Sequence, residues 1–287
     1  MNRLATTVLV GLIGTSTLGF SARSHEPASG HPEAKPSAVA SLSDLEARRA
    51  STVLLRDTRG EQIGSGVVLA EAQGGYWIAT NRHVVADQTL TCVMVGGQNS
   101  AAVVVASGRS KPQAEEDVAL LWLPIPKSPA LMVADQTGPV EPPEQLPLVV
   151  ATGYPTPLKR EPQGPEYTED DGLLLPLLKQ PLQGGFALAY TSVVEKGMSG
   201  GGLFQGRRLI GLNGAHSNPL WPGQWMDQSN KPVSNTLNQK LEQVSLGIPL
   251  QTMTRRLEAA AVPKTLPQID QPLCQKSAPK HTGAQRF

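Results

Sequence analysis

Three short segments carry residue types that could do acid–base and nucleophilic chemistry. The first, Ile78-Ala-Thr-Asn-Arg-His83-Val-Val85, sets a histidine just past a run of strand-forming residues. An imidazole fixed there can act as a general base, because its ordinary pKa lies near ambient pH. A lone histidine in such a place is more commonly structural or simply exposed. The second, Glu115-Glu-Asp117-Val-Ala-Leu-Leu-Trp-Leu123, opens an apolar strand with an aspartate. That carboxylate can orient an imidazole and stabilise its cation, although Asp at a strand start is also ordinary turn chemistry. The third is Lys196-Gly-Met-Ser199-Gly-Gly-Gly202-Leu-Phe204. A serine set among Gly197, Gly200, Gly201 and Gly202 is a poor choice for core packing. Glycine lets the backbone turn sharply and aim two N–H groups at one point. That suits an oxyanion, with Ser199 as the attacking group; a Gly-rich hairpin turn is the plainer alternative.

The third segment also fits the Gly-x-Ser-x-Gly nucleophile elbow, which needs a helix after the serine and the order Ser, acid, His. Here Gly-Gly-Gly-Leu-Phe follows, a poor helix start, and the later histidines are His216 and His281, the second in a polar tail. The elbow is therefore disfavoured.

The elements that must position these residues read as short strands. Apolar runs recur at Thr52–Leu55, Ile63–Leu69, Tyr76–Thr80, Leu90–Val95, Ala102–Ala106 and Val118–Leu123, each bounded by turn residues. A Pro-rich bridge covers 124–147. A second set follows at Leu148–Thr152, Leu173–Leu177, Phe186–Thr191, Gly202–Phe204, Arg208–Asn213 and Val244–Pro249. Such spacing predicts an all-β barrel or sandwich. With 28 Gly and 25 Pro in 287 residues, the chain is also ill suited to long helices. Two polar stretches, 153–172 and 217–243, read as long loops, and such loops are commonly functional. Residues 45–50 read as a short helical lead-in. Leu250–Ala261 has helical composition, with an apolar stripe at Leu250, Met253 and Leu257.

The N-terminus begins with Arg3, then an uncharged, mostly apolar run from Leu4 to Phe20, then small residues. This is the layout of a secretory signal peptide over 1–22, and the run is short and Thr/Ser-interrupted for a membrane span. Residues 23–47, rich in Pro, Ser and Ala, read as a linker, and 259–287 as a polar tail. Export to the periplasm or outside the cell is expected, with no integral membrane span after cleavage. The 25 Lys+Arg against 24 Asp+Glu leave no electrostatic footprint for nucleic acid. An exported protein can pair Cys92 with Cys274, but the sequence leaves that pairing open. Two cysteines without nearby histidines argue against a zinc site, and no metal or cofactor is expected.

Taken in order, His83, Asp117 and Ser199 fall in the first, first and second strand sets. With TNRHVV (80–85), EDVALLWL (116–123), KGMSGGGLF (196–204), RLIGLNGAH (208–216) and SLGIPLQTM (245–253), the chain resembles the trypsin-like (chymotrypsin-fold, S1-type) serine endopeptidases of bacterial, HtrA-like type. The resemblance covers about residues 48–258. It implies two six-stranded antiparallel β-barrels, the first about 48–123 and the second about 148–250, with a C-terminal helix and no PDZ domain after the protease unit.

The resemblance further implies that Ser199 attacks the scissile carbonyl, His83 shuttles the proton and Asp117 holds the imidazole, with the N–H groups of Gly197 and Ser199 forming the oxyanion hole. Asn213, Gly214, Ala215 and His216 match the strand that pairs with substrate backbone. Val193 stands six residues before the serine, where relatives that prefer Arg or Lys carry Asp; an apolar or small P1 residue is therefore expected. Met198 stands where digestive relatives carry the Asp of an activating salt bridge, so no second N-terminal cut is expected. The expected partner is a polypeptide substrate and the expected state a monomer. A peptide- or protein-binding module with little turnover, or an esterase, are the competing readings.

Overall fold

Residues 75–80 and 119–123 form strands that are buried at every position, so both of their faces take apolar side chains. The computed structural model describes residues 43–106, 116–137, 146–156, 165–215, 223–264 and 274. β1 (Thr52–Arg56), β2 (Gln62–Ala72), β3 (Gly75–Thr80), β4 (Leu90–Val95), β5 (Gln98–Ala106) and β6 (Ala119–Leu123) close into one barrel in the order β1-β2-β3-β6-β5-β4. β7 (Leu148–Gly153), β8 (Thr168–Leu175), β9 (Leu188–Tyr190), β10 (Gly202–Gln205), β11 (Arg208–Ala215) and β12 (Ser245–Pro249) close into a second, in the order β10-β11-β12-β9-β8-β7. All of these strand pairings are antiparallel. This is the expected all-β, chymotrypsin-like architecture.

The pleat sends alternate residues to opposite faces, and here each face meets a different core. Tyr76 and Ile78 of β3, with Leu121 and Leu123 of β6, join the cluster that fills the first barrel. Their neighbours Trp77, Ala79, Leu120 and Trp122 turn the other way, into a cluster shared with Phe204, Leu212, Leu246 and Ile248 of the second barrel. Trp77 and Trp122 pair directly across β3 and β6, with ring centroids 5.1 Å apart. A third cluster, with Val149, Ala151, Tyr190, Met198 and Leu203, fills the second barrel.

Among the described residues, three short α-helices flank the barrels. α1 (Asp44–Ser51) starts at a capping box, in which the Ser43 hydroxyl and the Glu46 carboxylate take each other's backbone N–H groups, as short helices need. The helix therefore takes in the last residues of the expected linker. It is docked by Arg48, which forms an ion pair with Glu169 of β8 at 2.7 Å and donates to the Gly206 carbonyl. α2 (Asn235–Leu241) lies inside the stretch expected to be loop, and α3 (Leu250–Glu258) buries Leu250 and Met253 as the stripe predicts.

β8 differs most from its expected span of Leu173–Leu177. It begins at Thr168, within the expected loop 153–172, because Thr-Glu-Asp-Asp-Gly pairs along β7, Thr168 opposite Gly153 and Gly172 opposite Val149. None of β8 is fully buried, so its ladder needs no apolar alternation. Cys92 of β4 and Cys274 form a disulfide across 182 positions, which fixes one point of the expected polar tail on the first barrel. Asn99 adds a bond from Nδ2 to the Cys274 carbonyl at 2.8 Å. The expected signal peptide and most of the linker and tail lie outside the described residues. Among the described residues, no helix is long and apolar enough to cross a membrane.

Candidate active site

β3 delivers the histidine. After Thr80 the chain enters a single 3-10 turn, Arg82–Val85, anchored by the buried Val84 and Val85. That anchoring leaves the His83 side chain 51% exposed while the Asp117 side chain is only 12% exposed. Asp117 stands just ahead of β6 and holds His83 twice. One carboxylate oxygen accepts the His83 backbone N–H at 2.9 Å, and the other lies 2.6 Å from Nδ1. An ionised carboxylate only accepts, so this contact puts the proton on Nδ1 and leaves the Nε2 lone pair free. The aspartate backbone is fixed as well. Its carbonyl accepts from Arg82 N–H at 3.2 Å and Asn81 Nδ2 at 3.0 Å, and its N–H donates to the Gly184 carbonyl at 2.7 Å.

The serine segment precedes β10. A Cβ on Gly200 would fall 2.2 Å from Thr80 Oγ1 and 3.1 Å from Asn81 N. Only glycine lets the residue after Ser199 lie flush against the strand end that leads into His83, and its φ of +84° also requires glycine. The structure thus brings the serine segment against the strand end that leads into His83. Among the described residues no hydrogen bond joins Ser199 Oγ to His83 Nε2, and such contacts are often long without substrate.

The carbonyls of residues 195–199 are all engaged. Glu195 C=O accepts from Met198 N–H at 3.0 Å, Lys196 C=O from Thr156 N–H at 2.7 Å, Met198 C=O from Gly201 N–H at 3.0 Å, and Ser199 C=O from Ser65 N–H at 2.9 Å. Gly197 C=O accepts from the Ser65 hydroxyl at 2.7 Å. By contrast, among the described residues the N–H groups of Gly197 and Ser199 have no partner. In a trans peptide the N–H points opposite to its C=O. Pinning the carbonyls of Lys196 and Met198 therefore fixes the direction of the two free amides, as an anion hole requires. Gly197 has φ +99°, and a Cβ there would lie 2.6 Å from Tyr154 O and 2.7 Å from Thr156 N.

The remaining candidates fall at different depths. Asn213 is fully buried. Its Nδ2 donates to the Thr152 carbonyl at 2.8 Å, and its Oδ1 accepts from Tyr190 O–H at 2.9 Å. Burial pushes the Tyr190 phenol pKa up, which keeps it the donor. The Asn213 backbone bonds Gly200 N–H and Gly201 C=O at 2.9 Å each, so this residue secures the serine segment. Gly214 and Ala215 continue β11, with Ala215 opposite Leu246; among the described residues their other edge is unpaired. His216 lies outside the described residues. Val193 is 52% exposed, and its N–H donates to Asp170 Oδ2 at 2.6 Å. Met198 is buried in the second-barrel cluster. Sequence reasoning missed Ser65, Thr156 and Asn81. The visible signal for Ser65 was a polar residue between Gly64 and Gly66 in an otherwise apolar run. Among the described residues, no cluster of His, Cys, Asp or Glu could hold a metal ion.

Two solved structures are similar in part. The inactive form of the Rv3671c protease is 19% identical over 76% of this chain and 93% of that one, with a TM-score of 0.48. The serine endoprotease from Yersinia pestis is 22% identical over 76% of this chain and 66% of that one, with a TM-score of 0.47. A search of curated proteins finds no significant match. Residues 64–212 match the trypsin-like peptidase domain. That match spans over half the chain, from β2 to β11 and with it His83, Asp117 and Ser199, and the chain belongs to the trypsin-like peptidase family.

Proposed function

We propose that this peptidase is an exported serine endopeptidase in which His83, Asp117 and Ser199 form the triad and the N–H groups of Gly197 and Ser199 the oxyanion hole. The observation that carries the reading is the two-point hold of Asp117 on His83, which leaves Nε2 as the basic nitrogen. Ser199 Oγ attacks the scissile carbonyl carbon as its proton passes to Nε2. The carbonyl electron pair moves onto oxygen, where the two free amides stabilise it. His83 then gives its proton to the leaving amine, the C–N bond breaks, and an acyl-serine remains. Water, deprotonated by His83, repeats the sequence and frees the serine. Asp117 stays ionised throughout and stabilises the imidazolium. The unpaired edge at Gly214–Ala215 supports substrate pairing as an added strand. The Cys92–Cys274 disulfide supports an oxidising compartment outside the cytoplasm.

A fluorophosphonate probe tests the reading. Labelling of the wild type and none of Ser199→Ala is expected, with casein cleaved by the wild type alone. Absence of Ser199-dependent labelling would favour a binding module; labelling with ester turnover but no casein cleavage would favour an esterase. A peptide library is expected to show cleavage after apolar or small residues, because Val193 brings no charge to the pocket. Cleavage mainly after Arg or Lys would overturn that specificity.

A further inference from the structure

Ser65 bonds the serine segment from the first barrel. It is fully buried in β2 of the first barrel, away from the triad in sequence. Its N–H donates to Ser199 C=O at 2.9 Å, and its hydroxyl donates to Gly197 C=O at 2.7 Å. The same hydroxyl accepts Tyr154 N–H at 2.9 Å, and its carbonyl accepts from Thr80 Oγ1 at 2.7 Å. One residue of the first barrel thus grips the carbonyls on either side of Met198, and through Tyr154 it also holds the segment that reaches Thr156. Thr156 N–H in turn fixes Lys196 C=O.

This grip matters because Gly197 imposes little torsional restraint of its own. A glycine at φ +99° can rotate its flanking peptide units at low cost. Its carbonyl lies in a buried stretch where, among the described residues, only the Ser65 hydroxyl serves it. Without that hydroxyl, the Gly197–Met198 peptide must either keep a buried carbonyl unpaired or rotate in search of a donor. The Gly197–Met198 unit lies between the Lys196–Gly197 and Met198–Ser199 units that carry the hole amides, so its rotation shifts the torsions that join those two units and disturbs their convergence on the oxyanion. Loss of the Tyr154 bond loosens the second anchor at the same time.

We infer that Ser65 is a positioning residue for the oxyanion hole: its hydroxyl holds the Gly197–Met198 unit that joins the two hole amides and, through Tyr154, the segment whose Thr156 N–H pins Lys196 C=O, without touching substrate. The inference rests on the peptidase reading. A positioning role concerns the transition state more than the bound substrate, so it acts on kcat and leaves KM nearly unchanged.

The test compares Ser65→Ala with Thr91→Val in the full chain. Thr91 is equally buried, and its hydroxyl donates to the Arg56 carbonyl at 2.8 Å within the same barrel, so its loss is structural only. Ser65→Ala is expected to lower kcat by roughly 10- to 100-fold, below the ~10²–10³ of losing a hole donor outright. KM should stay within about twofold, and affinity for a peptidyl boronate should fall in step with kcat. Thr91→Val should keep the wild-type kcat per folded molecule. Ser65→Cys, close in shape and a weak donor, is expected to fall between, and it carries the comparison if Ser65→Ala does not fold. Equal kcat and boronate affinity in the Ser65 variants and Thr91→Val would overturn the inference. Wild-type labelling at Ser199 is measured first, so a failed peptidase reading is seen separately.

Discussion

Asp117 has the sharpest consequence of any one residue, because it fixes both the position and the tautomer of His83. An amide in its place keeps a hydrogen bond to Nδ1 only by donating, which moves the imidazole proton to Nε2 and removes the base. Asp117→Asn is therefore expected to fold as the wild type and to lose roughly 10⁴-fold in kcat, read by steady-state hydrolysis of a peptide substrate. A loss below tenfold would detach Asp117 from the chemistry. His83, Asp117 and Ser199 became candidates through their order and the resemblance carried by their segments, because each alone has a plain structural alternative. Ser65 and Asn213 were harder to read. Their roles depend on which carbonyls they meet across β2, β7 and β10, and one-dimensional spacing carries no such information. Asn213 was expected at the substrate; it is fully buried and bonded to Tyr190 and Thr152, since the second barrel needs a polar side chain to satisfy those groups.

At the level of elements, the strands were legible wherever both faces are apolar, as in β3 and β6. They blurred where neither face meets a core, as in the polar half of β8. That half is tied down by charge. Arg48 of α1 and Glu169 of β8 have side chains only 11% and 16% exposed, and Tyr167 O–H also donates to Glu169 at 2.5 Å. Arg48→Met leaves the carboxylate without its cation and is expected to cost roughly 2–4 kcal/mol in urea unfolding. The double variant Arg48→Met/Glu169→Leu should recover much of that, since no lone charge stays buried. β9 carries a pH dependence of its own. Burial holds the Tyr190 phenol pKa above its ordinary value, which is about 10. Below about pH 10 both states keep the proton, and Tyr190 adds no slope. Above it the unfolded chain loses the proton first and binds fewer, so stability falls as pH rises. Tyr190→Phe should show a shallower alkaline fall, but from a lower start of about 1–3 kcal/mol, because Asn213 Oδ1 loses its donor.

For the whole molecule, the two barrels share one of three apolar clusters, and the disulfide adds a covalent tie. By the chain-entropy account, closing a loop across 182 positions can contribute up to about 5 kcal/mol through the unfolded chain. Cys92→Ser/Cys274→Ser is expected to lower the unfolding midpoint while leaving kcat near the wild type, since none of the bonds that hold His83 or the serine segment involves either cysteine. A large loss of kcat with unchanged stability would contradict that placement. The same bond has a consequence for how such an enzyme would age. A peptidase at high concentration is exposed to its own activity, and most of its described length lies between residues 92 and 274. A single backbone cut anywhere in that interval leaves two fragments on one covalent molecule. Nicked protein would run as an intact chain on a gel without reductant and separate into two bands only when thiol is added.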